Sequence, residues 1–292
     1  MRIMRTATKR MLLAPANFVN SNFLHVNRMS MGCARGALNA ATRRFQPGNT
    51  ASWEFSAFSQ NGEDGIIEEL LSRLKVQTRY FVEIGAADGL ENNTAYLAFV
   101  KKYSGVMVEG DPLKSRHAKR VLWAMNHGVH YLHAFVEPAK IGIILDRCRT
   151  RTPDFFSLDI DGMDFHVAQA LFAADFRPRV VCVEYNSAYG PKAALTVPYQ
   201  NSFGYGDRRS GLYYGVSLGG WQLFFARLGY EFVTVESNGV NAFFVDPVHV
   251  DLDVTGLVRI DFAENCAHQY VHPGGWTEQW PLISGLPLVS VD

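Results

Sequence analysis

The sequence of 292 residues lacks the patterns that mark several common classes of protein. Its four cysteines form no C-x-x-C pair and no metal-like spacing, so we expect a reduced, cytoplasmic protein rather than a disulfide framework. No run of eighteen apolar residues occurs, which argues against a membrane-spanning helix. Internal repeats are also absent. With 48% hydrophobic residues, the chain is nevertheless long enough to bury a substantial core.

Acidic residues are missing from the start of the chain. Residues 1–53 contain eight of the 28 Lys and Arg and no Asp or Glu. Because the whole chain has a net charge of zero, the remainder carries a net charge of −8. We therefore expect a basic N-terminal extension over residues 1–50 that contacts either a membrane surface or the acidic body of the chain itself. No clear nucleic-acid partner is indicated, and the oligomeric state is not specified.

Apolar runs and helical patterns alternate over residues 51–246, as is typical of a parallel sheet covered by helices. The predicted strands are "YFVEI", "GVMVE", "VHYLHAF", "DFFSLDI" and "RVVCVEY", followed by a hairpin of "YEFVTVES" and "VNAFFVD". This order predicts a doubly wound α/β sheet whose last strand is antiparallel. Residues 187–212 form a predicted substrate loop or lid, "YYGVSLGGWQLFFARLG" a helix, and residues 247–292 a tail packed on the domain.

The stretch "FVEIGAADGL" places two acids, Glu83 and Asp88, around the turn after the first predicted strand. A dinucleotide site would need G-x-G-x-x-G there, and negative charge repels phosphate but attracts an ammonium or sulfonium group. Glu109, at the end of the next strand, is placed to accept hydrogen bonds from ribose hydroxyls. Together these acids favour an adenosine ligand without phosphate, such as S-adenosylmethionine (SAM). The alternative is that the first two acids cap helices and Glu109 is a surface residue.

The motifs "SQNGEDGI", "FVEIGAADG", "NNT", "VEGDP", "SLDIDGMDF", "VEYN" and "NAFFV" occur in this order. Over roughly residues 56–246 the chain resembles the FkbM-type branch of SAM-dependent methyltransferases. The resemblance implies a class I methyltransferase sheet of seven mostly parallel strands. It implies SAM contacts at Gln60, Asp64, Gly85, Ala86, Asp88, Asn93, Glu109, Phe135 and Val136. Ala87 stands where family members often have Asn, which removes one possible side-chain contact.

Further acids follow the fourth and fifth predicted strands, at Asp159, Asp161 and Glu184. Adjacent strand ends meet at one edge of a sheet, so these oxygens, with Asn186, can bind a Mg²⁺-like cation. The positions resemble the metal ligands of catechol O-methyltransferase and its relatives. We predict that the three acids either remove the acceptor's proton or bind the cation. The alternative is that Asp159 and Glu184 cap helices and hydrogen-bond the lid, while Asp161 or Asp164 acts as a metal-free base; His166 is a further candidate base.

The predicted function is SAM-dependent O-methylation of a hydroxyl on a small molecule or a glycan. A rival exists because "LDIDGMDF" resembles the first motif of haloacid dehalogenase-type phosphatases, although Met163 stands where that family has Thr. A non-catalytic SAM-fold binding protein is the third alternative. The long loop supplies a predicted basic and aromatic rim for the acceptor at Lys192, Arg208, Arg209, Tyr189, Tyr199, Tyr205, Tyr213 and Tyr214.

Overall fold

The computed structural model describes residues 27–201 and 211–292. Most of the predicted basic extension (residues 1–26) and three members of the predicted rim, Tyr205, Arg208 and Arg209, lie outside the described residues.

Nine strands are assigned in the described residues. They are β1 (Tyr80–Ile84), β2 (Ser104–Glu109), β3 (Val129–His133), β4 (Phe155–Leu158), β5 (Val180–Glu184), β6 (Leu195–Thr196), β7 (Glu231–Val235), β8 (Asn241–Val245) and β9 (Val289–Ser290). Seven of them form the central sheet in the order β3-β2-β1-β4-β5-β8-β7, and β6 pairs with β9 separately. Only β8 in the central sheet runs antiparallel to its neighbours. The prediction of a mostly parallel seven-stranded sheet with an antiparallel last strand is confirmed, and this is the strand arrangement of a class I methyltransferase-like fold.

Helices cover both faces of this sheet. The helices of the described residues are α1 (residues 27–42), α2 (Glu63–Ser72), α3 (Ala95–Phe99), α4 (Pro112–Met125), α5 (Gly142–Leu145), α6 (Asp164–Ala173), α7 (Leu218–Arg227), α8 (Cys266–Val271) and α9 (Trp276–Ile283). Helices α2, α3 and α4 share one apolar core with the sheet, while α5, α6 and α7 share a second core on the opposite face. The result is a three-layer sandwich in which the sheet is covered on both sides.

The central strands are apolar at successive positions because both of their faces are buried. In β4, Phe155 packs into the core beneath α2, and its neighbour Phe156 packs into the core beneath α6. All five residues of β5 are buried, including Cys182, which fills the core as the sequence predicts. Polar residues can therefore reach solvent or a ligand only at the two ends of these strands.

Helix α7 is shorter than predicted. It begins at Leu218 rather than at Tyr213 because the Ser217 hydroxyl caps it, accepting a hydrogen bond from the backbone N–H of Gly220 at 3.1 Å. The preceding residues instead return across the carboxyl edge of the sheet, where Tyr214 is buried. Tyr189 is buried as well, so these two tyrosines pack in the interior and do not belong to the predicted rim.

The described part of the basic extension contacts the body of the protein. Arg28 pairs with Asp88 and with Glu91, and the Arg35 guanidinium donates to the backbone oxygen of Ala57 at 2.7 Å. Farther along, the Thr50 N–H donates to the Val258 carbonyl at 2.9 Å, which joins this segment to the C-terminal tail. The domain boundaries at residues 50 and 247 stay predictions. Within the two described ranges, no helix is long and apolar enough to span a bilayer.

Candidate functional site

One row of residues crosses the carboxyl edge of the sheet and is called here the edge row. Its members, taken strand by strand from β2 to β8, are Glu109, Gly85, Asp159, Glu184 and Asn241. The first four members are immediately preceded by Val108, Ile84, Leu158 and Val183, and these four residues are paired from strand to strand across the sheet. Each member therefore lies level with its neighbour on the next strand. Side chains alternate between the faces of a strand, so the edge row points to the face that α2 covers.

The edge row borders a cavity of about 820 Å³. This volume lies in the usual range for a small-molecule site. Nine Asp and Glu residues line the cavity, against a single basic residue, Lys114, among the described lining residues. Burial raises the pKa values of three of these acids, Glu83, Asp159 and Glu184, but the remaining acids still outnumber Lys114, so the cavity suits a cationic ligand better than a phosphorylated one.

Most of the predicted site residues border this cavity. They are Gln60, Glu83, Gly85, Asn93, Glu109, Phe135, Val136, Asp159, Asp161 and Glu184. The structure thus brings together residues from five strand ends and from the turn before α2. Five other predicted residues, Asp64, Ala86, Asp88, His166 and Asn186, are not among the residues that line it.

Glu109 is held at the β2 end by two backbone amides. Its Oε2 accepts from the N–H of Ala87 at 2.9 Å, and its Oε1 accepts from the N–H of Asp111 at 2.7 Å. A carboxylate has about four acceptor positions, so each oxygen can accept a further hydrogen bond from the cavity. Beyond Glu109, Phe135 is 57% exposed and borders the cavity, so its ring is accessible to a flat ligand.

Glu83 lies one step deeper in β1, with a side chain that is only 2% exposed. Its carboxylate accepts from the Asn93 N–H at 2.9 Å and from the Thr94 hydroxyl, so it ties the start of α3 to the sheet. Burial raises the pKa of Glu83 to about 8 against its ordinary value of 4.5, despite these hydrogen bonds. The residue therefore combines a structural contact with a position on the cavity wall.

Asp64 is buried beneath the turn that precedes α2. Its Oδ2 accepts from the backbone N–H groups of Ala57 and Phe58, both at 2.7 Å, and of Ser59 at 3.0 Å. Burial raises the pKa of Asp64 to about 6. This carboxylate fixes the turn, and its helical neighbour Glu63 faces the cavity instead.

Asp88 and Ala86 also stabilise the turn after β1 and do not line the cavity. The Asp88 carboxylate pairs with Arg28 and accepts from the Leu90 N–H at 3.1 Å. The Ala86 carbonyl accepts from the Asn92 side chain at 2.8 Å, and Ala86 itself is fully buried. Both residues shape the loop that carries Ala87 and Gly85 to the cavity.

Asn186 and His166 have protein partners close to the acids. The fully buried Asn186 amide donates to the carbonyls of Leu212 and Tyr214 at 2.6 and 3.0 Å and accepts from the Ala188 N–H at 3.0 Å. The Nε2 atom of His166 lies 3.0 Å from the Val197 carbonyl. Asn186 thus orders the chain that returns across the edge, and His166 contacts the segment beyond it.

Asp159, Asp161 and Glu184 form an acidic cluster on the cavity wall. One carboxylate oxygen from each lies within 4.8 Å of the others. Glu184 is 8% exposed, and its Oε2 has no hydrogen-bond partner. Burial and the neighbouring carboxylates raise the pKa values of Asp159 and Glu184 well above their ordinary range. Like charges held this closely destabilise a fold, and such clusters tend to mark functional sites.

Sequence reasoning missed Glu63 and Asn241, which also line the cavity. The Asn241 amide donates to Glu63 Oε1 at 2.9 Å, and the Asn61 amide donates to the same oxygen at 3.1 Å. Asn61 in turn accepts from the Asn238 amide at 3.2 Å. The motifs "SQNGEDGI" and "NAFFV" therefore meet at the cavity. The sequence carried one signal for Asn241, because it is the first residue of the predicted hairpin strand "NAFFV". A strand antiparallel to its parallel neighbours begins at the edge where those neighbours end.

Several solved structures resemble this chain in fold. An O-methyltransferase from Bacillus cereus in complex with SAH is 14% identical, with 75% of this chain and 89% of that chain covered and a TM-score of 0.43. TomG from Streptomyces achromogenes, an O-methyltransferase in complex with SAM, is 15% identical, with 74% and 95% covered and a TM-score of 0.42. The methyltransferase domain of METTL16 is 12% identical, with 41% and 49% covered and a TM-score of 0.32, so the match spans about half of that chain. The fold assignment follows from the strand order itself and does not depend on these similarities.

No family model matches the chain. No curated protein matches it either.

Proposed function

We propose that the protein is a SAM-dependent methyltransferase that methylates a hydroxyl group of a small molecule or a glycan. The observation that carries the proposal is the acidic lining of the cavity, where nine Asp and Glu residues stand against one lysine among the described lining residues. Because the pKa values of Glu83, Asp159 and Glu184 are raised, the negative charge comes mainly from the other acids of this lining. A sulfonium and an ammonium group are both attracted by this charge, and a phosphate ester or a dinucleotide is repelled. The phosphatase alternative is disfavoured because its motif follows the fourth strand rather than the first, and because Met163 stands where that family has Thr.

The residues along the edge row suit an adenosine ligand. Glu109 has acceptor positions left for two ribose hydroxyls, and the exposed ring of Phe135 with Val136 can flank an adenine. Gln60, on the turn before α2, is exposed on the opposite wall and can contact the amino-acid end of the ligand. In this reading Glu83 supports the floor of the cavity.

The acidic cluster suits the chemistry of the acceptor. SAM supplies a methyl group on a positively charged sulfur, so the protein has to align the acceptor oxygen, exclude water and take up one proton. Burial and mutual repulsion raise the pKa values of Asp159 and Glu184, so whichever of the two is ionised has a high affinity for the proton of a hydroxyl. This arrangement also favours an enzyme over a binding protein without activity.

As an alternative to direct uptake of the proton, the same cluster fits a divalent cation. All of its donors are carboxylate oxygens within 4.8 Å, and the buried Glu184 Oε2 has no other partner. Hard cations such as Mg²⁺, Mn²⁺ and Ca²⁺ prefer such donors. Asp159, Asp161 and Glu184 would hold the cation, whose positive charge would acidify and orient the acceptor hydroxyl.

Titration calorimetry with SAM tests the proposal. We expect micromolar-range binding by the full-length protein, and an affinity loss of at least about tenfold for Glu109→Gln, because the amide offers fewer acceptor positions to the ribose. Asp175→Asn is the matched control, since Asp175 is exposed and does not line the cavity. A wild-type protein that takes up no SAM would reject the function, and equal affinity in Glu109→Gln would reject the ribose contact.

A further inference from the structure

Two buried oxygen atoms at the carboxyl edge of the sheet have no hydrogen-bond partner. They are Oε2 of Glu184 and Oδ1 of Asn241, in side chains that are 8% and 3% exposed. Buried acceptors without a partner cost free energy and are uncommon in folded proteins, so each one calls for a physical explanation. Both residues line the cavity, so a ligand in the cavity can supply the missing partner.

These two oxygens belong to neighbouring side chains. Glu184 and Asn241 are paired residues in the antiparallel β5–β8 ladder. Side chains that lie directly opposite each other in such a ladder share a face, with their Cβ atoms about 4.5–5.5 Å apart. Asp159 precedes them in the edge row on β4, so the amide of Asn241 extends the acidic cluster by one strand.

Glu63 determines which end of the Asn241 amide faces the cavity. Its Oε1 accepts from Asn241 Nδ2 at 2.9 Å, and its Oε2 accepts from the backbone N–H of Asn61 at 2.7 Å. If the Asn241 amide were reversed, two acceptor oxygens would face each other without a proton between them. The NH₂ group must therefore face Glu63, and the carbonyl oxygen is turned away from it.

We infer that Asn241 Oδ1 is a neutral oxygen ligand of a divalent cation held by Asp159, Asp161 and Glu184. The inference deepens the proposed function and rests on it. Three carboxylates and one amide oxygen form a donor set typical of Mg²⁺, Mn²⁺ or Ca²⁺. Asn186, which the sequence predicts as the amide ligand, has both ends of its amide hydrogen-bonded within the protein.

Mn²⁺ binding, followed by electron paramagnetic resonance, tests the ligand set directly. We expect full-length wild-type protein to bind Mn²⁺, and Asn241→Leu to bind it roughly tenfold more weakly or worse. Calorimetry with SAM on the same preparations reports separately on the proposed function. Binding of SAM without any binding of Mn²⁺ would overturn the cation site and leave the methyltransferase proposal intact. Binding of Mn²⁺ without SAM would do the reverse, and equal Mn²⁺ affinity in both proteins would overturn the role of Asn241.

Exchanging the carboxylate and the amide between positions 63 and 241 separates an effect on the orientation of the ligand oxygen from an effect on folding. Glu63→Gln can donate to Asn241, so the amide is free to turn its NH₂ group toward the cluster, and we expect weaker Mn²⁺ binding although no ligand oxygen is removed. In the double variant Glu63→Gln with Asn241→Asp, the glutamine donates to one oxygen of the new carboxylate and the other oxygen can reach the cation. We expect this double variant to recover Mn²⁺ binding. Failure to recover it, in protein that unfolds at the wild-type temperature, would contradict the inferred geometry.

Asn186→Ser is the matched control for an amide at the same edge. It removes the hydrogen bonds to the carbonyls of Leu212 and Tyr214, so we expect a lower midpoint of thermal unfolding. Its Mn²⁺ affinity should stay at the wild-type level. If Asn186→Ser weakened Mn²⁺ binding as much as Asn241→Leu does, the amide ligand would be Asn186 and the inference would fail.

Discussion

The backbone of Gly85 lies so close to Asp159 that a Cβ atom on Gly85 would overlap the Asp159 carbonyl oxygen. Gly85 also has a φ of +94°, a conformation that residues with side chains rarely adopt. The family resemblance implied Gly85 only as a SAM contact. The structure shows a further reason for a glycine here, because the end of β1 passes directly against the end of β4. The glycine thus allows the two strand ends to meet at the cavity.

We expect Gly85→Ala to lower the free energy of unfolding by at least about 3 kcal/mol, since it combines a backbone clash with a strained φ. Chemical denaturation measures the effect. Gly229→Ala is the control, because Gly229 also has a positive φ, of +85°, but a Cβ atom there would meet open space. Its cost should be only about 1–2 kcal/mol. Equal costs for the two variants would show that the contact with Asp159 is unimportant.

The raised pKa of Glu83 predicts that the stability of the protein depends on pH. Its pKa is about 8 in the folded protein against an ordinary value of 4.5, so between these values the folded state binds a proton that the unfolded state releases. This contribution to stability is fully present below pH 4.5 and is lost as the pH rises through 8, at a rate of at most about 1.4 kcal/mol per pH unit. Glu83→Gln imitates the protonated side chain and should remove this part of the slope.

Urea denaturation at several values between pH 5 and pH 8 checks this expectation. The wild-type protein should lose more stability over this range than Glu83→Gln does. The exposed Asp175→Asn variant should keep the wild-type slope. Parallel slopes for wild type and Glu83→Gln would mean that Glu83 does not titrate in this range.

Asp154 and Arg179 form a buried ion pair at the opposite, amino-terminal edge of the sheet. The pair spans 2.9 Å, and Asp154 also accepts from the N–H groups of Thr78 and Arg79. Asp154→Ala leaves a buried guanidinium without its partner, so we expect a loss of about 3–5 kcal/mol in stability. The exposed Asp146→Ala should change stability by less than about 0.5 kcal/mol.

SAM affinity of the folded Asp154→Ala protein should stay at the wild-type level, because the pair lies at the other end of the strands from the cavity. Calorimetry at a temperature where the variant is fully folded measures it. A large loss of affinity there would indicate that the two edges of the sheet are coupled.

Phe135 should affect ligand binding without affecting stability. Its ring is 57% exposed, so Phe135→Ala should leave the unfolding midpoint unchanged while SAM binds roughly tenfold more weakly, because an aromatic contact with adenine is lost. Tyr270→Ala is the control, since Tyr270 is 91% exposed and does not line the cavity. Unchanged SAM affinity in Phe135→Ala would place the adenine elsewhere.

The strands of this fold were predictable because their apolar runs have no helical period and are bounded by Gly, Pro and charged residues. The meeting of Asp159 with Glu184 was predictable for the same reason, since the ends of parallel strands share an edge. The start of "NAFFV" indicates that Asn241 lies near this edge, but its pairing with Glu184 was not predictable, because the register between β5 and an antiparallel strand is a property of the assembled sheet.

The sequence did not show which of two neighbouring residues with similar chemistry faces the cavity. Glu63 and Asp64 are consecutive acids at the start of α2, and only one of them can face the cavity, since successive helical residues point about 100° apart. The sequence favoured Asp64, whereas the structure buries it under the turn and turns Glu63 toward Asn241. The tyrosines of the long loop show the same difficulty, because Tyr189 and Tyr214 satisfy their hydroxyls inside the protein.

The edge row draws its members from segments that are far apart in the chain, and Asn241 belongs to the last hairpin of the sheet. In a partly folded chain in which β8 has not yet paired with β5, the wall of the cavity is therefore incomplete beside Asp159 and Glu184. Any ligand that needs the full wall recognises only the finished sheet, and by mass action it protects the docking of this hairpin against local opening. Hydrogen exchange at β8 should thus report occupancy of a cavity whose walls also include the ends of β1 and β2, more than a hundred residues earlier in the chain.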